Sequence, residues 1–293
     1  MATTPRVDSA PAVAVVTVSY GSGSVLPDFL LSIPAASRYP LTVVLADNRP
    51  DDDGNVTELA QTMHATYLPV QNNPGYGGGM NAAIASLPPH IEWVLVSNPD
   101  VVLGHGAIDV LVAAGVADDS IAAVGPAIMT DGLVYPSARA IPSLRTGVGH
   151  ALFANIWLAN PWTRAYRNDT ETTPVRRDAG WLSGACLLVR RSVFEQLGGF
   201  DPSFFMYFED VDLGYRLGKL GYRNVYEPAA TVIHTGAHST EGESARMIAA
   251  HHESARRFLH KKYSGWYLLP VRIVLDLGLA VRSSALKRRA GHH

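Results

Sequence analysis

Five short apolar runs, spaced so that a helix fits between most successive pairs, constrain this chain more than any other feature of it. They occupy residues 13–19, 41–46, 65–70, 91–97 and 121–127. The first, Val-Ala-Val-Val-Thr-Val-Ser, carries no charge and reads as a strand buried on both faces. A loop at 20–24 and an apolar-periodic helix through Ile33 follow it. Strand and helix alternating in this way predict an α/β domain with a parallel sheet flanked by helices, and ligands bound at the carboxyl ends of the strands.

A chain of 293 residues with 47% apolar content can bury one large core. The expected division is a tail at 1–12, a main domain at 13–240 and a C-terminal segment at 241–293. The single Cys186 excludes a disulfide framework and a cysteine zinc cluster, which fits a reducing, cytoplasmic compartment. Residues 1–12 are polar and Pro/Ala-rich, and the apolar run behind them is too short for a signal sequence. Net charge is −2, yet from Arg256 onward nine Lys and Arg residues stand against Asp276 alone. That asymmetry points to an anionic surface, and no nucleic-acid partner is expected.

The tail reads in two parts. Residues 241–263 form a polar, His-rich helix expected to face solvent, with His251 and His252 pointing apart. Residues 266–281 are apolar but broken by Pro270, Arg272 and Asp276, too short to span a bilayer. With Tyr263, Trp266 and Tyr267 and basic flanks, they fit a helix lying peripherally on anionic lipid. The other readings are packing on the domain, or on a second copy in a homodimer. His292-His293 read as vector-derived.

The chemistry concentrates in Gly198-Gly-Phe-Asp-Pro-Ser-Phe-Phe-Met-Tyr-Phe-Glu-Asp-Val-Asp-Leu213. Three carboxylates, Glu209, Asp210 and Asp212, arrive at the mouth of a helix predicted over 210–220. A helix N-terminus tolerates carboxylates, which accounts for Asp210 and Asp212 as caps. The apolar wall of Phe204, Phe205, Met206 and Phe208 goes further: it would lift a neighbouring carboxyl towards working pH and make a general base.

Two nucleotide-binding readings compete at the strand ends. Gly21-Ser22-Gly23, with Asp47 some way on, mimics a dinucleotide fingerprint and would suit a nicotinamide-dependent oxidoreductase. Leu26, however, stands where that fingerprint needs its third glycine. The other reading is a sugar-nucleotide site. Asp47-Asn48, the stretch Asn72-Asn-Pro-Gly-Tyr-Gly-Gly-Gly-Met-Asn81, Ser97-Asn-Pro-Asp100 and the block at 204–213 occur in the order that resembles family 2 glycosyltransferases of the GT-A fold. They are most similar to the rhamnosyltransferase branch, and the resemblance covers roughly residues 13–239.

The resemblance implies a GT-A, Rossmann-like fold and an inverting, metal-dependent transfer. The donor would be dTDP-β-L-rhamnose and the acceptor a polyprenyl-diphosphate-linked GlcNAc of a cell-wall linker, at the inner face of the plasma membrane. Asp47 would accept from a pyrimidine N–H; Asn73, Gly75 and Asn81 would bind the nucleotide sugar, with Asn81 against the nucleoside, because the glycines let backbone come close to a ligand. The other reading of the stretch is a flexible turn before a helix starting near Gly79. Asn98 stands where the family usually has Asp, so Asp100 and His234 are the expected ligands of Mn²⁺ or Mg²⁺. Small residues at Gly184 and Ala185 would leave room for the sugar ring. Asp210 would take the acceptor proton, with Glu209 second in line.

Two details stay open at this stage. Arg216 either orients the acidic cluster or forms a surface i,i+4 pair with Asp212. Residues 135–178, rich in Pro, Arg and Trp, read as an acceptor-side flap whose arginines, among them Arg139, Arg164, Arg167, Arg176 and Arg177, meet a lipid diphosphate or solvate a loop. A non-catalytic sugar-nucleotide module and a glycosyltransferase of other substrates are the remaining alternatives.

Overall fold

A computed structural model describes residues 11–50, 55–143, 174–236, 244–270 and 272–273. The interior of the expected flap, with Arg164 and Arg167, and the chain beyond 273 lie outside the described residues. Strands β1 (Val13–Ser19), β2 (Thr42–Asp47), β3 (Thr66–Pro69), β4 (Trp93–Ser97) and β6 (Ile121–Thr130) coincide with the five apolar runs. Helices α1 (Leu26–Ala36), α2 (Val56–Thr62), α3 (Gly75–Ala85) and α4 (Ala107–Val116) and a short strand β5 (Val101–Leu103) fill the spaces between them.

The sheet has ten strands, with the main order β3-β2-β1-β4-β11-β6-β12-β5. Its first half is parallel throughout. Strand β11 (Cys186–Arg190) then runs antiparallel between β4 and β6, and β12 (Arg223–His234) returns parallel to β6. Edge strands β7 (Leu133–Tyr135) and β9 (Arg177–Ala179) pair β6 and β12, while β8 (Ala138–Arg139) and β10 (Trp181–Leu182) make a separate two-stranded ribbon.

Both faces of the sheet are covered, which is why its strands are apolar without alternation. Val13, Val15, Trp93 and Leu95 pack with Phe29 and Ile33 of α1 and Leu111 of α4. Ala14, Val16, Val94 and Val96 face the opposite layer: Met80 and Ile84 of α3, Phe194 of α5 (Arg191–Gln196), and Leu213 and Leu217 of α6 (Glu209–Lys219). The result is a three-layer α/β/α domain. Cys186 lies in its core, and burial pushes the thiol up to about 12, so it is inert packing as expected.

The C-terminal helix departs from expectation. Helix α7 (Ser244–Lys262) does not simply face water: Phe258 is 0% exposed and packs with Phe204, Val211, Phe208 and Tyr215. An aromatic side chain sealed this way contributes about 1.5–3 kcal/mol. His251 lies against the rings of Tyr207 and Phe208, at centroid distances of 5.5 and 5.3 Å. The helix is thus packed on the segment that carries the acidic cluster, across the boundary expected at residue 240.

Candidate active site

The carboxyl edge of the parallel strands gathers the first group of expected residues. In the β1–β2–β4 register Ser19 stands beside Asp47 and Thr17 beside Ser97, so the ends of β2 and β4 lie to either side of β1. Asp47 is buried; Tyr67 donates its hydroxyl to Oδ2 at 3.1 Å and the Arg49 N–H reaches Oδ1 at 3.0 Å. Asn73 Oδ1 accepts from Asn48 Nδ2 and the Gly75 N–H, each at 3.3 Å, closing the loop that leads into α3.

The glycine-rich stretch is helical and not a flexible turn. Helix α3 starts at Gly75, four residues before the expected position, and the glycines are its first turns. They are required by protein contacts on several sides. A methyl on Gly75, whose φ is +81°, would stand 2.0 Å from the Phe205 carbonyl oxygen. One on Gly77 would meet Phe200 Cβ at 2.9 Å, and one on Gly79 would meet both Asn48 and Val18 at 2.8 Å. The helix can therefore be sandwiched tightly between the sheet and the 199–209 segment. Asn81 serves the same packing. Its Nδ2 donates to the Phe200 carbonyl at 2.8 Å and its Oδ1 accepts the Phe200 N–H at 2.9 Å, so both ends of the amide are held by backbone instead of turned to a nucleoside.

Asp100 and His234 meet because of strand register. Beyond a register shift between Glu227 and Thr231, β12 resumes its pairing with β6 and at the same time pairs with β5, which sets His234 opposite Val101. His234 Nε2 is 3.1 Å from Asp100 Oδ1 and 3.4 Å from Asn98 Nδ2. Thr235 N–H donates to the Asp100 carbonyl at 3.1 Å and pins the junction.

The acidic cluster sits across a turn from that pair. Gly184 N–H donates to Asp210 Oδ2 at 2.9 Å, while the Ala185 carbonyl accepts the Asn98 N–H at 2.9 Å. Tyr76 of α3 donates its hydroxyl to the Gly184 carbonyl at 2.6 Å and braces the turn from behind. Asp210, Gly184, Ala185, Asn98, His234 and Asp100 are therefore one continuous chain of contacts. Tyr76 was not anticipated; its only sequence signal is an aromatic residue set among glycines.

Burial raises the Asp210 carboxyl from its ordinary value, against which the N–H groups of Gly184 and Val211 and the charge of Arg139 pull back. Glu209 is more deeply enclosed: burial, and then the neighbouring Asp210 charge, push it up to about 8, and its buried Oε2 has no hydrogen-bond partner among the described residues. Tyr76 is held well above its usual value, by burial first and then by the two carboxylates.

The source of this burial corrects the aromatic-wall expectation. Phe204 and Phe208 turn towards Phe258 of α7, and half of Phe205 is exposed. The carboxylates are covered instead from the α3 side, where Glu209 Cβ approaches Gly77. Tyr207 and Phe208, with φ of 67° and 66°, make two successive left-handed residues that swing the chain into α6. For residues other than glycine such a bend stores about 1–3 kcal/mol at each position.

Asp212 is not the helix cap expected. Its carboxylate is 0% exposed and bridges Arg216 Nε at 2.6 Å and Lys261 Nζ at 2.7 Å. Arg216 is correspondingly no surface residue: its guanidinium also donates to the carbonyls of Leu197 and Gly199. On the ribbon beside the site, Arg139 stacks over Tyr135 and Trp181 and donates Nε to the Pro136 carbonyl at 2.7 Å. Trp181 in turn packs on Gly214 of α6.

Asp100 and His234 offer one oxygen and one nitrogen, a donor set that suits Mn²⁺ at least as well as Mg²⁺. Among the described residues no group of three or more metal-ligating side chains occurs. The protein would thus hold a cation by two ligands, leaving the remaining positions to a bound diphosphate and water.

Residues 11–252 match the sequence profile described as "Glycosyltransferase like family 2". The N-acetylglucosaminyl-diphospho-decaprenol L-rhamnosyltransferase of Mycobacterium tuberculosis is 46% identical over 284 residues, 94% of this chain and 92% of that one. Rhamnosyltransferase WbbL of Escherichia coli is 26% identical, covering 85% and 93%. Among solved structures, that of GalNAc-T7 with UDP, GalNAc and Mn²⁺ superposes with a TM-score of 0.57 at 14% identity, over 78% of this chain and 44% of the other, a likeness of fold.

Proposed function

The chain belongs to glycosyltransferase family 2, and on that premise we propose that it moves L-rhamnose from dTDP-rhamnose to a polyprenyl-diphosphate-linked GlcNAc, with inversion. One observation carries the reading: Asp210 and the Asp100–His234 pair stand on opposite flanks of the Ser183-Gly184-Ala185 turn. A transferase needs two such groups near one another, because proton removal from the acceptor and charge neutralisation on the leaving diphosphate occur at the two ends of one sugar. Family membership sets aside the oxidoreductase alternative, and Leu26 is buried core, not a phosphate-binding glycine.

Asp210 is the base in this scheme. It keeps partial exposure and its two oxygens are aligned by the Gly184 and Val211 N–H groups, whereas Glu209 is enclosed and carries a proton at neutral pH. A raised Asp210 pKa makes it a stronger base once ionised. Asp47 remains the group offered to a pyrimidine N–H at the end of β2. Asp100 and His234 would hold the divalent cation, whose chemistry is to neutralise the departing dTDP. Gly184 borders the space for the sugar, and Asn73 and Gly75 shape the loop beside Asn48. Asn81 acts here as a clasp, not as a nucleoside contact.

No helix among the described residues is long and apolar enough to cross a membrane. A lipid-linked acceptor must nevertheless be met at a surface. Trp266 and Tyr267, 86% and 68% exposed, follow α7 on a 3₁₀ turn close in sequence to Arg272, a combination that suits peripheral binding to anionic lipid at the cytoplasmic face.

The test is a transfer assay with mass detection. Purified protein, Mn²⁺ and a short-chain prenyl-diphospho-GlcNAc are offered dTDP-rhamnose, dTDP-glucose, UDP-GlcNAc and GDP-mannose in parallel. Product gain of one deoxyhexose from dTDP-rhamnose is expected; turnover of another donor in its place would reassign the substrate.

A further inference from the structure

The C-terminal helix meets the acidic segment with more than apolar contact. Lys261 Nζ lies 2.6 Å from Asp201 Oδ2 and 2.7 Å from Asp212 Oδ1. Those two aspartates stand at the two ends of the stretch that carries Glu209 and Asp210. One ammonium therefore ties both ends of an excursion whose middle contains the left-handed pair Tyr207 and Phe208. The same helix holds that middle as well: Ser254 donates its hydroxyl to the Met206 carbonyl at 2.8 Å, and Phe258 is sealed between Phe204 and Val211.

Among the described residues, Asp212 Oδ2 takes Arg216, and its buried Oδ1 has the Lys261 ion pair alone, without a hydrogen bond of good geometry. Leaving a carboxylate of 0% exposure half-paired is costly, so the lysine is strongly specified by the site it enters. Asp201 answers to the same group: burial raises its carboxyl, but hydrogen bonds from Lys261 and from Ser203 outweigh this and bring it down to about 2. Arg216, meanwhile, grips the carbonyls of Leu197 and Gly199 just before Asp201, so the network closes around the whole segment.

We propose that Lys261 is a positioning residue for the transfer reaction: by bridging Asp201 and Asp212 it holds the strained 201–212 segment in the form that presents Asp210 to the Gly184 turn. The C-terminal helix is thereby part of the active site, although it contributes no group that touches the sugar. The inference rests on the assignment of Asp210 as base for its catalytic consequence, and on the geometry alone for its structural one. A lysine that merely stabilised the fold would change the folded fraction; a positioning lysine changes turnover per folded molecule.

The experiment compares the full chain with Lys261→Met, Lys261→Arg and, as a control on the same helix, Arg256→Gln, whose side chain pairs with Glu253 at the surface. Lys261→Met should lower kcat per folded molecule by about ten- to a hundredfold, with KM for dTDP-rhamnose within about twofold, because displacing a base slightly is enough to lose that much. Lys261→Arg should recover most of the loss, and Arg256→Gln should match the unaltered chain. Amide exchange across residues 202–212 should speed up in Lys261→Met alone. Should Lys261→Met not fold, Asp201→Asn, which removes one of the two anchors, is expected to show the same pattern at smaller amplitude. Unchanged kcat and unchanged exchange in folded Lys261→Met, or a loss fully explained by its unfolded fraction, would overturn the proposal. Exchange is read without substrate, so absence of rhamnosyl transfer by the unaltered chain would sink the substrate assignment and leave this result standing.

Discussion

The two pairs of side chains that meet about the Ser183-Gly184-Ala185 turn, Asp100 with His234 and Glu209 with Asp210, are built in opposite ways. Asp100 and His234 lie at the ends of strands β5 and β12, brought together by the hydrogen-bond register of β12 with β5. Glu209 and Asp210 start a helix after two left-handed residues, are buried from the α3 side, and depend on a distant helix to hold the bend. The first pair is a product of the sheet and the second of packing between layers. A strand-end site is rigid without further support, while a bent and desolvated one can tune its carboxylates only as long as every neighbour stays in place.

The sharpest way to break the comparison is Asp210→Asn. It keeps the shape of the side chain and removes the proposed base, so transfer should fall by about 10²- to 10⁴-fold while dTDP binding, followed by fluorescence titration, is unchanged. Near-normal turnover would hand the role to Glu209. Substitutions in the strand-end pair should act differently. Asp100→Ala or His234→Ala is expected to cost roughly 10²-fold in transfer through loss of charge stabilisation on the leaving group, and also to weaken Mn²⁺-dependent nucleotide binding. Equal nucleotide affinity with and without Mn²⁺ in both the unaltered chain and the variants would dismiss the metal assignment.

The same contrast explains what could be read from the chain beforehand. The five strands and α6 follow from local pattern, apolar runs ending in polar residues; the pairing of Asp100 with His234 is expected only from the family resemblance, since a histidine closing a strand is by itself more often structural. The glycine-rich stretch was ambiguous because glycine signals either a ligand or a close neighbour, and only the fold shows that Phe205, Phe200 and Val18 are close neighbours. Asn81 and Asp212 went the same way: their partners, the Phe200 backbone and Lys261, are 119 and 49 positions away along the chain. The pairing of Lys261 has no local signature at all, since a lysine late in a helix ordinarily reads as a dipole-compensating surface charge.

Gly75→Ala tests whether packing, and not ligand approach, is what the glycines serve. An added methyl would collide with the Phe205 carbonyl and face an unfavourable φ, so stability should drop by about 1–3 kcal/mol in denaturant melts, with no need for nucleotide to reveal it. A variant as stable as the parent but unable to bind dTDP would restore the ligand-approach reading.

A last effect is one of pH, and it separates the two pairs without touching activity. In the folded protein Glu209 keeps its proton up to about pH 8, while the unfolded chain releases it near 4.5. Between those values the folded state binds more protons than the unfolded one, so the unfolding free energy falls as pH rises, and the penalty is complete above pH 8. Asp210, also raised, adds to it with the same sign. The melting temperature should therefore decline across pH 5–8, and Glu209→Gln, which cannot ionise, should flatten that slope and gain stability relative to the parent at the alkaline end. His234→Gln, altered in the strand-end pair, should keep the carboxylate-driven part of the decline. An identical slope in Glu209→Gln and in the parent would mean that the carboxyl is solvated, and that the desolvation by which the packed pair differs from the strand-end pair does not exist.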